Sequence, residues 1–430
     1  MRAAFYTLGC KVNQYETQIL QQMFYDSGYD TVSADTAADV FVINSCTVTA
    51  SGDKKTRQAL RHFKRANPTA VAVLTGCFPQ AFPLEAEGIP EADVITGSHN
   101  RAGLLLDVKK FLETGVRVVN ITPHKRGEAF ESMSAGKFLD RTRAFVKIQD
   151  GCERYCTYCI IPTARGPLRS KPLPELYEEL TALAQAGYKE AVLVGINLPS
   201  YGAESGTLRL IDAIELACGI NGLERVRLGS LEPELLTDAE IARMAGYSKF
   251  CPQFHLSLQS GCDATLKRMN RHYTAAEYKA MVQKLRTAFE NPAITTDIMV
   301  GFPGESDEEF AQSLAFMRDI SFAKVHVFPY SVREGTRAAT MPQQISKALK
   351  TSRCAVLSAA AEEDKQRFLQ SQVGKTEAVL FETTTTPLGT EGYTKNYTPV
   401  KVLSDKDISG QILPVRITAV SGDYCVGELI

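Results

Sequence analysis

The stretch GCERYCTYC, residues Gly151–Cys159, spaces three cysteines as C-x3-C-x2-C. A cubane iron–sulfur cluster usually takes four thiolates, so three in one loop leave one iron open to a small molecule. The alternative is a structural zinc ion, which needs four nitrogen or sulfur ligands, usually as two local pairs. The spacing therefore favours a cluster with an open iron, because no local pair is formed by the nearest other candidates, His124, His255, Cys77 and Cys218.

The composition of the chain is that of an ordinary globular protein, with 430 residues, 44% hydrophobic and 23% charged. At about 150 residues per domain, this length predicts two or three domains. We expect no membrane segment, because no apolar run approaches about 18 residues, and no signal peptide. The sequence thus predicts a cytoplasmic protein, which we expect to be a monomer. Eleven cysteines in a reducing compartment favour metal or cluster ligation over a disulfide framework.

The net charge of −1 does not indicate nucleic-acid binding by the chain as a whole. One segment, residues 53–65, is nevertheless strongly basic. Either an RNA contact or a solvated helix face accounts for it. Its basic side chains are Lys54, Lys55, Arg57, Arg61, Lys64 and Arg65.

Residues 1–115 alternate short apolar runs with helical patterns, which predicts an open parallel sheet with crossover helices. Three further cysteines, Cys10, Cys46 and Cys77, each follow the end of an apolar strand. Because the carboxyl ends of parallel strands meet at one edge of the sheet, these thiols are expected to lie together and to hold a second cluster. The alternative is that they are ordinary buried cysteines. Small neighbours would allow a cluster to approach closely, namely Gly9, Ser45 and Gly76.

The remaining chain predicts four further segments of an α/β protein. Residues 116–143 have the Gly, Pro and charge content of a linker. Six strands with intervening helices in 144–343 predict a partial (β/α)6 barrel, whose chemistry lies at the loops after the strands. A polar helix over 344–370 connects to 371–430, where several short strands predict a small β-barrel. Within that barrel, alternating aromatic, basic and amide groups suggest a single-stranded RNA surface at Tyr393, Lys395, Asn396 and Tyr397.

Taken together, these features resemble the methylthiotransferase family of radical S-adenosylmethionine (SAM) enzymes over nearly the whole length. Members of this family contain an N-terminal methylthiotransferase domain, a radical SAM barrel and a C-terminal OB-like TRAM domain. The run TLGCKVNQYET (Thr7–Thr17) is similar to the branch that modifies N6-threonylcarbamoyladenosine (t6A) at position 37 of tRNA. The isopentenyladenosine branch typically has YGCQMN there, and the ribosomal-protein branch GCPK. Further similarity lies in CIIP (Cys159–Pro162) with Arg165-Gly166, in GINL (Gly195–Leu198), and in VFPYS (Val327–Ser331) with GTR (Gly335–Arg337).

This resemblance implies two 4Fe–4S clusters, one on Cys152, Cys156 and Cys159, and an auxiliary one on Cys10, Cys46 and Cys77. It implies two SAM molecules per turnover, sulfur or polysulfide on the auxiliary cluster, and an electron donor such as flavodoxin or ferredoxin. The partner is the tRNA anticodon stem-loop that carries t6A. The implied reaction replaces the C2 hydrogen of adenine by a methylthio group. That hydrogen is not acidic, so no side-chain base removes it at pH 7, and the cofactor must supply radical chemistry.

Several other residues receive roles from their positions after the barrel strands. Candidates for contact with SAM are Tyr158, Gly195, Asn197, Ser230, Glu232, Gln259 and Gly301, with turn or core packing as the alternative. Candidates for contact with RNA phosphate are Arg165, Arg169 and Lys171. We expect a core role for His255 and structural roles for Cys218, Cys251, Cys262, Cys354 and Cys425.

Two other functions remain open from the sequence. The first is methylthiolation of a different substrate, either isopentenyladenosine tRNA or a ribosomal protein. The second belongs to a different class, a zinc-stabilised RNA-binding protein without catalytic activity.

Overall fold

Apolar strands of the N-terminal segment form a six-stranded, all-parallel sheet in the order β2-β1-β3-β4-β5-β6. The strands are β1 (Arg2–Thr7), β2 (Asp30–Val32), β3 (Val40–Ser45), β4 (Val71–Gly76), β5 (Val94–Thr96) and β6 (Val118–Asn120). Helices cover both faces: α1 (Lys11–Asp26), α2 (Ala50–Ala66), α3 (Cys77–Ala81), α4 (Pro83–Glu87) and α5 (Leu104–Thr114). Both central strands, β3 and β4, are buried at every position, since side chains on either face pack under helices.

The computed structural model describes residues 1–134, 142–386 and 389–430, without the side chains of 383–386. The predicted linker 116–143 is therefore described only in part, and 135–141 lie outside the described residues. Its beginning differs from the prediction, because β6 pairs with β5 and extends the sheet to Asn120. A short apolar pair, Val118-Val119, was too brief to be recognised as a strand among polar neighbours.

The second unit is the predicted partial (β/α)6 barrel, and the structure confirms it. The barrel wall consists of two sheets, ordered β11-β10-β7 and β12-β13-β14-β15. Its third strand is interrupted at Gly229, so that β11 belongs to the first sheet and β12 to the second. The strands are β7 (Arg143–Lys147), β8 (Gln149–Asp150), β9 (Arg169–Ser170), β10 (Glu190–Val194), β11 (Arg225–Leu228), β12 (Ser230–Leu231), β13 (Gln253–Leu256), β14 (Ala293–Val300) and β15 (Lys324–Pro329). The helices are α6 (Ile161–Arg165), α7 (Leu173–Gln185), α8 (Leu210–Gly219), α9 (Asp238–Ala245), α10 (Asp263–Arg268), α11 (Ala275–Ala288) and α12 (Asp307–Ile320).

Local sequence explains where several barrel helices begin. A Ser or Thr followed three residues later by Glu forms a capping box, in which each side chain accepts a hydrogen bond from the other residue's backbone N–H. This pattern starts three barrel helices, α9, α11 and α12, at Thr237, Thr274 and Ser306. The helices that pack around the barrel are thus started by signals local to the chain.

The last unit is a closed five-stranded barrel reached through one long helix, α13 (Lys347–Gln370). Its strand order is β16-β17-β18-β20-β19, which confirms the predicted small β-barrel. The strands are β16 (Thr376–Thr386), β17 (Gly389–Tyr393), β18 (Pro399–Val402), β19 (Ile412–Ser421) and β20 (Tyr424–Leu429). Alternate residues point inward and form an apolar core with Val379, Phe381, Val400, Val415 and Ile417. Among the described residues, no helix is sufficiently long and apolar to cross a membrane.

Candidate active site

Three thiols meet at the carboxyl edge of the N-terminal sheet. Cys10 follows β1 and precedes α1, Cys46 follows β3, and Cys77 follows β4 as the first residue of α3. The Oδ1 atom of Asn13 lies 3.8 Å from the Sγ of Cys10 and 4.0 Å from the Sγ of Cys77. Gly9 has a φ of +109°, and a Cβ atom there would lie 2.7 Å from the Cβ of Cys46. Glycine is therefore required for the β1 and β3 loops to approach one another.

The C-x3-C-x2-C loop follows β8 at the top of the barrel. Its backbone folds over itself, because the N–H of Cys159 donates to the carbonyl of Cys156 at 3.0 Å. The N–H of Cys152 donates to the carbonyl of Gly166 at 3.1 Å. The three sulfurs are close enough that Cys156 and Cys152 both act electrostatically on Cys159.

The spacing of both thiol sets bears on the zinc alternative. In a tetrahedral zinc site with Zn–S bonds of 2.3 Å, neighbouring sulfurs lie about 3.8 Å apart. Among the described residues, one set of three potential ligands has its atoms within 4.8 Å of one another, and it consists of His99, His124 and Glu128. Neither cysteine set is that tight, so each fits a larger cluster better than a single zinc ion.

In the protein without bound metal, burial keeps several of these thiols protonated and therefore neutral. It raises the pKa of Cys77 and of Cys159 to about 12 and that of Cys152 to about 11. Thiolates are the form that ligates iron, so a cation must offset the lost hydration. Iron held by these thiols would supply such a charge.

Each thiol set also has one buried arginine within hydrogen-bonding distance of a sulfur. The Nε–H of Arg165 donates to the Sγ of Cys77 at 3.1 Å, and Nη1 of Arg271 donates to the Sγ of Cys156 at 3.2 Å. Hydrogen bonds from charged donors are stronger than neutral ones, so both arginines stabilise a thiolate. Sequence reasoning missed Arg271, which lies in no recognised motif.

The predicted RNA-phosphate contacts at Arg165, Arg169 and Lys171 are wrong. All three side chains are buried and carry partners inside the protein. Arg165 pairs with Glu16, Nη1 of Arg169 lies 2.7 Å from Glu128, and Lys171 pairs with Glu179. A cation without its own carboxylate partner would be too costly to bury. The partner of Lys171 is only eight residues away, whereas that of Arg165 is 149 residues away.

Glu16 joins the N-terminal sheet unit to the barrel. Its carboxylate lies on α1 and contacts Nη2 of Arg101 at 2.8 Å, Nζ of Lys147 at 3.0 Å and the guanidinium of Arg165. Burial would raise the pKa of this carboxyl, but the three cations outweigh it and lower the pKa to about 2. One anion shared among cations from three segments therefore stays ionised and locks the two thiol sets into one body.

This lowered pKa predicts a stability that depends on pH. The Glu16 carboxyl takes up a proton near its ordinary value of 4.5 when unfolded but near 2 when folded, so its contribution is complete above about pH 4.5. The contribution should diminish as the pH falls from 4.5 towards 2. Denaturant midpoints measured between pH 6 and pH 3 test this, with Glu16→Gln protein as the control. Equal pH slopes for the two proteins would contradict it.

Four predicted SAM contacts lie beside the C-x3-C-x2-C loop. Glu232 pairs with Arg271, and the ring of Tyr158 packs edge-on against Phe302 with centroids 6.4 Å apart. The backbone N–H of Asn197 donates to Gln149, and a Cβ on Gly195 would collide with the same glutamine. The Oδ1 atom of Asn197 is buried and has no partner among the described residues, so it can accept a hydrogen bond from a bound amino group.

The other three predicted SAM contacts lie elsewhere around the barrel. Gln259 is held in a left-handed conformation, with φ +68°, between β13 and β14. Gly301 donates its N–H to Glu305 at 2.9 Å and is packed by Lys350. Ser230 faces a cavity in the interior of the barrel. The roles of these three residues towards SAM remain predictions.

That interior cavity has a volume of about 1030 Å³ and is bounded by all three units. Lys11, next to Cys10, enters it from α1, and Tyr393 and Tyr397 close it from the C-terminal barrel. Both ring nitrogens of His255 have partners, Thr295 at 3.0 Å and Asp297 at 3.3 Å, as expected for a satisfied histidine, but the ring lines the cavity and not the core. Its apolar sequence neighbours face the core, whereas the alternation of the strand turns the histidine inward.

The predicted RNA segment partly serves to attach the C-terminal barrel. Tyr393 and Tyr397 stack with centroids 4.6 Å apart, and the Arg143 guanidinium lies within 5 Å of both rings. Lys395 donates to the carbonyl of Ser248. Asn396 is buried and donates to the carbonyl of Asn291 at 3.0 Å, so its predicted RNA contact is wrong. RNA contacts by Tyr393, Lys395 and Tyr397 stay a prediction.

The basic segment 53–65 forms most of α2, and half of its six cations have carboxylate partners. The pairs are Arg57 with Glu85, Arg61 with Glu91, and Lys64 with Asp93. These pairs favour the interpretation as a solvated helix face. Of the cysteines expected to be structural, four are buried, namely Cys218, Cys251, Cys262 and Cys425, and Cys354 is half-buried.

Comparison with known proteins agrees with this architecture. The model of the radical SAM superfamily matches residues 146–317, and that of the uncharacterised protein family UPF0004 matches residues 2–97. The threonylcarbamoyladenosine tRNA methylthiotransferase MtaB of Bacillus subtilis is 37% identical, covering 99% of this chain and 96% of the relative. The tRNA-2-methylthio-N(6)-dimethylallyladenosine synthase of Pelotomaculum thermopropionicum is 32% identical, covering 98% and 96%.

Solved structures share the fold at low identity. The radical SAM methyltransferase TsrM of Kitasatospora setae has a TM-score of 0.56 and 14% identity, covering 86% of this chain and 89% of that one. OxsB, a cobalamin-dependent SAM radical enzyme, has a TM-score of 0.52 and 12% identity, covering 84% and 56%. The superfamily implies one 4Fe–4S cluster and SAM at the C-x3-C-x2-C loop. Given near-full-length relatives above 30% identity, the chain belongs to the methylthiotransferase family of radical SAM enzymes.

Proposed function

We propose that this protein is a tRNA methylthiotransferase that converts t6A at position 37 to its 2-methylthio derivative. Four relatives named for threonylcarbamoyladenosine are 33–37% identical, whereas those named for dimethylallyladenosine are 32–33% identical. The similarity of Thr7–Thr17 to the t6A branch supports the same choice. The observation that carries the sulfur-transfer part of the proposal is the second three-thiol set at the carboxyl edge of the N-terminal sheet.

The second set, Cys10, Cys46 and Cys77, would hold an auxiliary 4Fe–4S cluster that carries sulfur or polysulfide. Two observations support this assignment: the Oδ1 atom of Asn13 lies beside the sulfurs of Cys10 and Cys77, and the guanidinium of Arg165 donates a hydrogen bond to Cys77. When bound, the two clusters and two SAM molecules per turnover supply the radical and the methylated sulfur that adenine C2 requires. Electrons would come from a donor such as flavodoxin or ferredoxin.

The protein's own residues orient and enclose these groups. Asn197 Oδ1 is placed to accept a hydrogen bond from the SAM amino group, and Tyr158 with Phe302 provides an apolar wall beside the loop. Arg165 and Arg271 compensate thiolate charge at the two sets. Enclosure matters, because a radical site open to water and solutes loses its intermediates to side reactions.

The cavity next to Cys10 would receive the base at position 37 from the anticodon stem-loop. Its volume of about 1030 Å³ is large enough for a nucleoside with a bulky N6 substituent. The aromatic stack of Tyr393 and Tyr397 lies at the cavity wall, where an extruded base would pass. The domain boundaries, a monomeric state and a cytoplasmic location remain predictions.

Nucleoside mass spectrometry tests the substrate. Cells that lack this chain should lose 2-methylthio-t6A from their tRNA and regain it when the gene is restored. Anaerobically reconstituted protein should methylthiolate a stem-loop carrying t6A in preference to one carrying isopentenyladenosine. Persistence of 2-methylthio-t6A in cells with no second such enzyme, or product only from the isopentenyladenosine stem-loop, would show the assignment to be wrong.

A further inference from the structure

Lys11 is a cation in the interior cavity that has no anionic partner. It is the first residue of α1 and directly follows Cys10. In the part of the chain that the structure describes, no hydrogen bond or ion pair to its ammonium group is found. The charged groups that act on it most strongly are two arginines, Arg227 and Arg143, and one carboxylate, Glu190. Other cations therefore surround the ammonium, and the one carboxylate among these groups is not its own partner.

The nearby carboxylates are already taken by other cations. Glu190 lies 2.7 Å from Nε of Arg227, and a second carboxylate, Glu382, lies 2.7 Å from Nη2 of Arg143.

Of the acidic residues lining the cavity, Glu391 pairs with Lys401 and Asp423 with Lys365. Asp297 lies 3.3 Å from Nε2 of His255, which balances its charge only when the imidazole is protonated. Two lysines of the cavity, Lys11 and Lys324, have no carboxylate partner among the described residues, and Lys11 is the one that follows Cys10.

The position of Lys11 limits which part of a substrate it can reach. A base that receives sulfur from the Cys10 set must present C2 to that set. In adenine, C2 and the N6-bearing carbon both flank N1, so the N6 substituent lies beside the reacting carbon. A lysine next to Cys10, with its four-carbon stem, faces that substituent. The threonylcarbamoyl group carries a carboxylate, whereas the dimethylallyl group is apolar.

We propose that Lys11 determines substrate specificity by binding the carboxylate of the threonylcarbamoyl group on N6 of the target adenine. The inference rests on the proposed function, since it assumes that the base enters this cavity with C2 towards Cys10. Lys11 is exposed to the cavity, so a neutral substituent that displaces water from its ammonium offers no hydrogen bond in return. Discrimination against neutral N6 groups follows from that loss.

The test uses the reconstituted full-length protein and two stem-loop RNAs that differ in one charge. One RNA carries t6A and the other carries its threonine methyl ester. Wild-type protein should prefer the acid roughly ten- to a hundredfold in kcat/KM, the range for one charge-assisted hydrogen bond. Lys11→Met should bring the ratio of the two RNAs close to one, mainly by loss on the acid, and Lys11→Arg should retain most of the preference.

Two controls separate recognition from damage to the adjacent cluster. For every variant, the iron and sulfide content is measured. The binding of both RNAs is measured by fluorescence anisotropy in the absence of reductant. Lys401→Met removes a lysine from the same cavity whose charge is already paired with Glu391, and it should leave the ratio unchanged.

An unchanged ratio in Lys11→Met, or an equal loss on both RNAs, would overturn the proposal. Equal wild-type turnover of acid and ester would also overturn it, while the proposed function would stand. If wild-type protein formed no product from the acid and none from the ester, the Lys11 proposal and the proposed function would both be overturned.

Discussion

Cys46→Ala protein should still cleave SAM reductively but form no methylthiolated RNA. The substitution removes one of the three thiols at the carboxyl edge of the N-terminal sheet and leaves the C-x3-C-x2-C loop on the barrel intact. Anaerobic assays for 5′-deoxyadenosine and for 2-methylthio nucleoside measure the two activities separately. Iron and sulfide should fall from about eight of each per chain, the content of two cubane clusters, towards about four.

Cys354→Ala is the matched control for Cys46→Ala, because Cys354 is half-buried on α13 and belongs to neither set. It should keep both activities and the full iron content. Wild-type levels of methylthiolated product from Cys46→Ala protein would refute the auxiliary cluster. Simultaneous loss of SAM cleavage would instead mean that the two sites do not act separately.

Glu16→Gln should destabilise the protein by about 3–5 kcal/mol, the usual cost of breaking a buried ion pair by removing one partner. The amide would leave Arg101, Arg165 and Lys147 without the anion they share. Because these cations come from both the N-terminal unit and the barrel, the loss should appear as a lower unfolding midpoint in denaturant. This carboxylate is one of the contacts that join the N-terminal unit to the barrel.

A matched control for Glu16→Gln is Glu85→Gln. Glu85 pairs with Arg57 at the surface of the N-terminal unit, where solvent screens the interaction. This change should cost no more than about 1 kcal/mol. Similar midpoint shifts for the two variants would argue against a special role of the buried network.

The cysteine sets and the barrel were predictable because local patterns carry them. The C-x3-C-x2-C spacing lies within nine residues, and Cys10, Cys46 and Cys77 each follow a recognisable apolar strand. Parallel strands align their carboxyl ends, so position along each strand was enough to bring distant thiols together. The same reasoning located the small C-terminal barrel from strands and turns alone.

The partners of charged side chains were not predictable in this way. Arg165 was expected to contact RNA phosphate. In the structure it lies between Glu16 and Cys77, 149 and 88 residues away in the sequence. Arg271 carries no motif at all, and its contact with Cys156 spans 115 residues. In the sequence Lys11 is only one residue of the motif Thr7–Thr17, and its position in the cavity is known only from the structure.

The sequence by itself determined the two cysteine sets, the order of the three units and the class of chemistry, because cysteine spacing and strand periodicity are properties of short segments. The tertiary structure decided which charges are buried in pairs, which face the cavity and which remain free. A charge can be buried only where an opposite charge from elsewhere in the chain meets it, and that meeting exists only once the units have packed together.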